Sequence, residues 1–182
     1  MCNKVSLTTL LLALITVSQV FGQKMNFKSY SVNDGLPQAQ VHDVAQTSDG
    51  YIWMSTYGGG LVKFDGSNFF NYTTEDGLKS NTVEHILVDS EDKLWVTTAN
   101  GGVTTFQGDS LVDPIKNDTL NNYDFTGLAE LSDGRKWFGT YKGGVFIYNG
   151  QSLSRLTKKD GLVDNTVWGF FEDRQGKIWM GT

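Results

Sequence analysis

Four tryptophans, Trp53, Trp95, Trp137 and Trp179, stand 42 residues apart each time. Other series keep the same step without an insertion. They include Gly59-Gly60, Gly101-Gly102 and Gly143-Gly144, then Asp34, Asp76, Asp118 and Asp160, then Leu36, Leu78, Leu120 and Leu162. Phe64, Phe106 and Tyr148 form one more. A fixed period of this length marks an array of supersecondary units. Each unit buries its apolar faces only against its neighbours.

The first unit shows what the unit is. Val41 to Gln46 reads as a strand, and Ser48-Asp49-Gly50 as a hairpin turn, because Asp-Gly tolerates positive φ. Tyr51 to Thr56 is a second strand, with Ile52 and Met54 alternating against Trp53. Gly58-Gly59-Gly60 turns the chain into a third strand, Leu61 to Phe64, and Asp65-Gly66 into a fourth, Phe69 to Thr73. Four short strands every 42 residues predict the blades of an all-β propeller. The expected blades span about 36–75, 78–117, 120–159 and an incomplete 162–182. Phe27 and Tyr30 align with Phe69 and Tyr72, so residues 27–31 are expected to be a closing fourth strand. A run that halts inside a repeat is expected to be an incomplete part of a larger propeller. The Trp and Gly-Gly series are assigned to structure: large rings to fill blade-to-blade contacts, glycines to turn the chain.

Composition narrows the function classes. The chain has 182 residues, 39% hydrophobic and 13% aromatic, enough for a packed core. Net charge is −5 with no block of like charges, which argues against nucleic acid as a partner. Residues 1–22 read as a signal peptide: Lys4, an apolar run from Leu7 to Val20, and a small residue, Gly22, before Gln23. That run is short for a membrane span, which takes ~20 residues. Export to a periplasm is the expected localisation. Cys2 is the only cysteine and precedes the apolar run, so the mature chain would have no disulfide, thiol nucleophile or cysteine metal ligand.

Asp76-Gly77-Leu78, Asn81-Thr82-Val83, Leu94-Trp95 and Gly101-Gly102-Val103 carry a resemblance, as do Asp160-Gly161-Leu162, Asn165-Thr166-Val167 and Ile178-Trp179-Met180-Gly181-Thr182. They resemble the two-component regulator propeller repeat. The first unit departs with Ala39 at the Asn position and Ser55 at the Gly position. The third departs most, with Thr119, Tyr123 and Lys136. The resemblance implies a periplasmic sensor region with seven-bladed propellers, followed by a membrane span and a histidine kinase or other output. It implies downstream signalling modules as partners, a possible dimer in the full-length protein, and polysaccharide breakdown products as ligands.

Few residues suggest chemistry. Gly108-Asp109-Ser110-Leu111 matches an esterase nucleophile motif, but it aligns with the turns at Gly66 and Gly150, and no His follows Ser110. The repeated Asp residues precede Gly-Leu, or Thr119-Leu120 in the third unit, where a carboxylate bonds its own turn. His42 and His85 lie near the start of first strands, which line the axis of a propeller, with Asp43 and Glu84 beside them. Lining the channel is the expected role, and neither a metal site, a cofactor nor a catalytic residue is assigned. The loops at one face vary between repeats while the Trp and Gly-Gly positions do not. That variation marks Tyr57, Asn100, Tyr141, Lys142, His42, Glu84 and Trp168 as candidate ligand-binding residues. A small molecule or oligosaccharide stacked on the aromatic rings is the expected ligand. Two other readings stay open: a secreted propeller that docks another protein, and a propeller lyase or glycosidase using Glu84 and Asp43.

Overall fold

Period-two alternation closes into meanders in a computed structural model of the chain, which describes residues 26–115 and 118–182. The first sheet runs in the order β1 (Val41–Gln46), β2 (Ile52–Thr56), β3 (Leu61–Phe64) and β4 (Phe69–Tyr72). The second holds β5 (Val83–Val88), β6 (Leu94–Thr98), β7 (Gly102–Gln107) and β8 (Ser110–Val112). The third holds β9 (Phe125–Glu130), β10 (Lys136–Thr140), β11 (Gly144–Tyr148) and β12 (Leu153–Leu156). A two-stranded sheet follows, β13 (Gly169–Glu172) with β14 (Ile178–Gly181). Neighbouring strands are antiparallel throughout. The first strands β1, β5, β9 and β13 pack side by side, so the sheets radiate from a common axis as blades. The chain is all-β and forms part of a propeller.

The core lies between blades. Trp53 and Leu61 of the first sheet meet Val83, Ile86 and Val96 of the second, with Leu78 of the connection. Trp95 and Val103 meet Phe125, Phe138 and Phe146, with Leu120. Trp137 and Val145 meet Val167, with Leu162 and Phe170 against them. Three of the four repeat tryptophans reach an aromatic ring of the following blade: Trp53 to Phe106 at 5.2 Å, Trp95 to Tyr148 at 6.0 Å, Trp137 to Phe170 at 5.7 Å. The sequence assigned this packing to all four tryptophans. Trp179 differs and is 54% exposed, because no further sheet lies against β14 among the described residues.

The glycine pairs have separate reasons. A Cβ on Gly59 would sit 2.7 Å from Gln38 Cβ and 2.8 Å from Thr56 Oγ1, in the segment entering the blade. Gly60, Gly102 and Gly144 take φ of 88°, 83° and 84°, the left-handed region that glycine enters freely. The Asp-Gly-Leu connections are tighter than simple turns. Thr74–Asp76 and Lys158–Asp160 are single 3-10 turns closed by capping boxes. The Asp76 carboxylate accepts from Thr73 N at 2.8 Å, and Asp160 from Thr157 N at 2.9 Å. Asp34 does the same with Ser31.

Residues 27–31 differ from the expected strand. They form no ladder, because no neighbouring strand reaches them among the described residues. Tyr30 nevertheless lies 4.9 Å from Phe64, as its repeat counterpart Tyr72 lies 5.2 Å from Phe106. The segment has the position of a fourth strand and lacks a partner. The signal-peptide expectation for residues 1–22 falls outside the described residues. Among the described residues no helix is long and apolar enough to cross a membrane.

Candidate ligand site at the mouth of the axis

A β-bulge opens each of the first three blades at its axial strand. In β1, Val41 pairs with Thr56 and Val44 with Met54, so His42 and Asp43 together face Ser55. In β5, Val83 pairs with Thr98 and His85 with Thr97, leaving Glu84 as the extra residue. In β9, Phe125 pairs with Thr140 and Gly127 with Gly139, leaving Thr126. A bulge removes a residue from the ladder and re-aims its side chain. In the first two blades the amides that the bulges would strand are caught by hydroxyls. Asp43 N donates to Ser55 Oγ at 2.8 Å, and His85 N to Thr97 Oγ1 at 3.1 Å. Ser55 stands where the repeat pattern has glycine, and this bond gives the departure a role.

The re-aimed residues are His42, Glu84 and Thr126, and their counterpart in the fourth blade is Trp168. All four line one depression of about 470 Å³. Successive repeats thus bring an imidazole, a carboxyl, a hydroxyl and an indole to one place. Tyr141, from the connection after β10, completes the wall, its ring centroid 6.5 Å from that of Trp168. Tyr141 is 46% exposed and Trp168 61%, unusual for rings of this size unless they have a surface role.

Four of the seven residues expected from sequence therefore meet here: His42, Glu84, Tyr141 and Trp168. Tyr57 stands beside them, its ring 5.8 Å from His42. Lys142 lies next in line, its Nζ 4.7 Å from the Tyr141 centroid. Asn100 does not line the depression. Its φ is 50°, and Lys142 has φ 60° at the same repeat position, where the first unit has Gly58 at 87°. Turn geometry accounts for Asn100, since Asn tolerates the left-handed region. Sequence reasoning missed Asp124, Phe125 and Thr126 as site residues. The signal was present for Thr126, because it is the repeat partner of His42 and Glu84.

Neighbouring blades are tied together beneath the mouth. His85 Nδ1 lies 2.9 Å from Asp43 Oδ2, its own repeat counterpart one blade back. That hydrogen bond holds the Asp43 carboxyl below the usual carboxylate range, against a rise from burial. Glu84 accepts from the Phe125 amide of the next blade. Burial nonetheless raises its pKa to about 7, the amide opposing and the nearby Asp124 adding to the rise. Thr126 Oγ1 donates to Val167 O at 2.6 Å across the third junction. Among the described residues no group of three His, Cys, Asp or Glu side chains could hold a metal.

The sequence pattern of the two-component regulator propeller matches residues 35–58 and 161–182. No curated protein matches the chain. Among solved structures, the extracellular domain of a hybrid two-component system from B. thetaiotaomicron is similar over 88% of this chain, at 23% identity and TM-score 0.72. A surface component of the type-IX secretion system of Porphyromonas gingivalis is similar over 77%, at 20% identity and TM-score 0.62. A virginiamycin B lyase from Staphylococcus aureus is similar over 77%, at 13% identity and TM-score 0.59. The chain spans 23%, 23% and 48% of those three proteins, respectively. The likeness among them is one of fold. The period, the Gly-Gly turns and the blade topology agree with the pattern matched at residues 35–58 and 161–182, and the chain has the fold of part of a β-propeller.

Proposed function

We propose that this chain is the ligand-sensing part of an exported two-component sensor, and that it takes a small molecule or oligosaccharide at the axial mouth. One observation carries the reading. The residues at the bulge register differ in every repeat, and all four converge on a depression walled by exposed aromatic rings. A rigid ring with variable residues at a fixed place is how such scaffolds build a site. Exposed Tyr and Trp faces suit the apolar faces of sugar rings. The segment binds and does not turn ligand over; output belongs to signalling modules elsewhere in the full-length protein. The similar extracellular domain of a two-component system of B. thetaiotaomicron supports this reading through its fold.

The test is calorimetric titration of the chain with a panel of neutral and amino-bearing oligosaccharides, alongside Tyr141→Ala and Trp168→Ala. Binding by the parent and a loss of at least about tenfold in each variant, roughly 1.4 kcal/mol, is the expected result. Equal binding by all three proteins, or none by any across the panel, would sink the reading. Protein docking has its own supporting observation, the exposed Phe171 and Trp179 of the last sheet. It predicts that Phe171→Ala and Trp179→Ala, and not the mouth variants, abolish partner capture.

A further inference from the structure

The wall of the axial depression is acidic and aromatic. Glu84 and Asp124 line it with Tyr141 and Trp168, and no Lys or Arg does. The Glu84 carboxyl spends one oxygen, Oε2, on the Phe125 amide. Its Oε1 and both oxygens of Asp124 carry no hydrogen bond among the described residues. The His85 imidazole is held by Asp43 at 2.9 Å. Two carboxyl groups thus face the depression with acceptor capacity to spare, beside electron-rich ring faces.

We propose that the mouth takes a ring ligand bearing a positive charge, an amino sugar or similar cyclic ammonium, with the ring against Tyr141 and Trp168 and the cation at Glu84 and Asp124. This rests on the sensing reading above and narrows its ligand to one class. A cation near a Trp or Tyr face is attracted by the ring quadrupole, and more strongly in a desolvated place. The Tyr141 ring already accepts one, the Lys142 ammonium 4.7 Å from its centroid. A neutral sugar offers the two carboxyl groups hydroxyl donors but leaves their negative charge uncompensated, whereas an ammonium supplies a charge-assisted donor. An anionic sugar would meet them directly.

The charge state of the mouth gives the proposal a second handle. Burial places the Glu84 pKa at about 7. Asp124 and His85 are its charged or titratable neighbours, with Asp43 behind His85 and His42 and Lys142 at the rim. A cation prefers the carboxylate form, which is about a tenth populated at pH 6 and about nine tenths at pH 8. Apparent affinity for a permanently charged ligand then rises about tenfold between those values.

The probes are N,N,N-trimethylglucosamine, whose charge does not titrate, and neutral N-acetylglucosamine, each titrated calorimetrically into the chain at pH 6 and pH 8. The expected result has three parts. The cationic probe binds at least about tenfold tighter than the neutral one at pH 8, and loses about tenfold at pH 6. Glu84→Gln, which keeps an acceptor for the Phe125 amide, weakens it and flattens its pH dependence. Lys142→Gly, which removes a competing cation and suits the positive φ there, strengthens it. Equal or tighter binding of the neutral probe overturns the proposal and leaves the sensing reading standing. So does a pH dependence that survives Glu84→Gln. Binding of neither probe also overturns it, and the sensing reading then falls only if the oligosaccharide panel fails as well.

Discussion

Trp95 and Trp137 occupy the same position of successive repeats and differ by one hydrogen bond. Trp95 Nε1 donates to Asp89 at 2.7 Å. Trp137 Nε1 is buried without a partner, because Leu131 stands where the second repeat has Asp89. Trp53 and Trp179 find Thr47 and Asp173 at that position. Both substitutions to Phe lose packing, but Trp95→Phe also takes a donor from a buried carboxylate. We therefore expect Trp95→Phe to cost about 1–3 kcal/mol more than Trp137→Phe in urea unfolding. Lys136 stands where the other repeats have Ile52, Leu94 and Ile178, and its buried ammonium reaches Asp89 at 3.1 Å and Glu130 at 2.8 Å. Lys136→Met strands two carboxylates and should cost about 3–5 kcal/mol. Burial works to raise both carboxyl pKa values, yet the hydrogen bonds and the Lys136 charge leave them lowered, and the lysine is raised. Their contribution is therefore present at neutral pH and lost as pH falls below about 4, the ordinary carboxylate range. Glu84 has the opposite sign. Its folded pKa, about 7, lies above its unfolded value, so ionising it costs stability as pH rises from 4.5 to 7. Glu84→Gln should raise the melting temperature at pH 8 and leave it nearly unchanged at pH 4.

At the scale of the element, two devices shape each blade: the capped connection and the bulged axial strand. The capping boxes at Thr73–Asp76 and Thr157–Asp160 fix the chain as it enters the next blade. Asp76→Ala should cost about 1 kcal/mol, the usual value of a lost cap, measured by thermal unfolding. The strands themselves were legible because Trp53, Ile52 and Met54 alternate, and because Asp-Gly and Gly-Gly punctuate them. The Asp role was legible too, since a carboxylate ahead of Gly-Leu bonds its own backbone, although the 3-10 turn it closes was not. The bulges at His42, Glu84 and Thr126 could not be read from one strand. A bulge is a register difference between two strands, and alternation in either one looks regular. The pairing of Asp43 with His85 was within reach, for residues 42 apart occupy neighbouring places round the ring. Asp124 was not, because it precedes β9 and only the inward turn of the connection brings it to the mouth.

At the scale of the molecule, blades are held at both ends and in the middle. Apolar layers fill the middle. At the end away from the mouth, Ser90 N donates to Glu130 and Ser132 N to Glu172, each at 2.7 Å, stapling hairpin turns to the next blade. At the mouth, Asp43, Glu84 and Thr126 make the corresponding ties. The variable residues sit on this doubly braced frame, so the proposed ligand would meet fixed groups and need little reordering. The last sheet exposes Phe171 at 65% and Trp179 at 54%. The chain by itself should therefore bind an apolar dye, and Phe171→Lys with Trp179→Lys should weaken that binding. The central claim is that ligand enters at the mouth, and amide hydrogen exchange with and without saturating oligosaccharide tests it most directly. Slowed exchange at residues 41–44, 83–86, 124–127 and 167–169, with the hairpin turns at the far end unchanged, is the predicted result. Slowing confined to those far turns, or to the exposed face of β13 and β14, would contradict it.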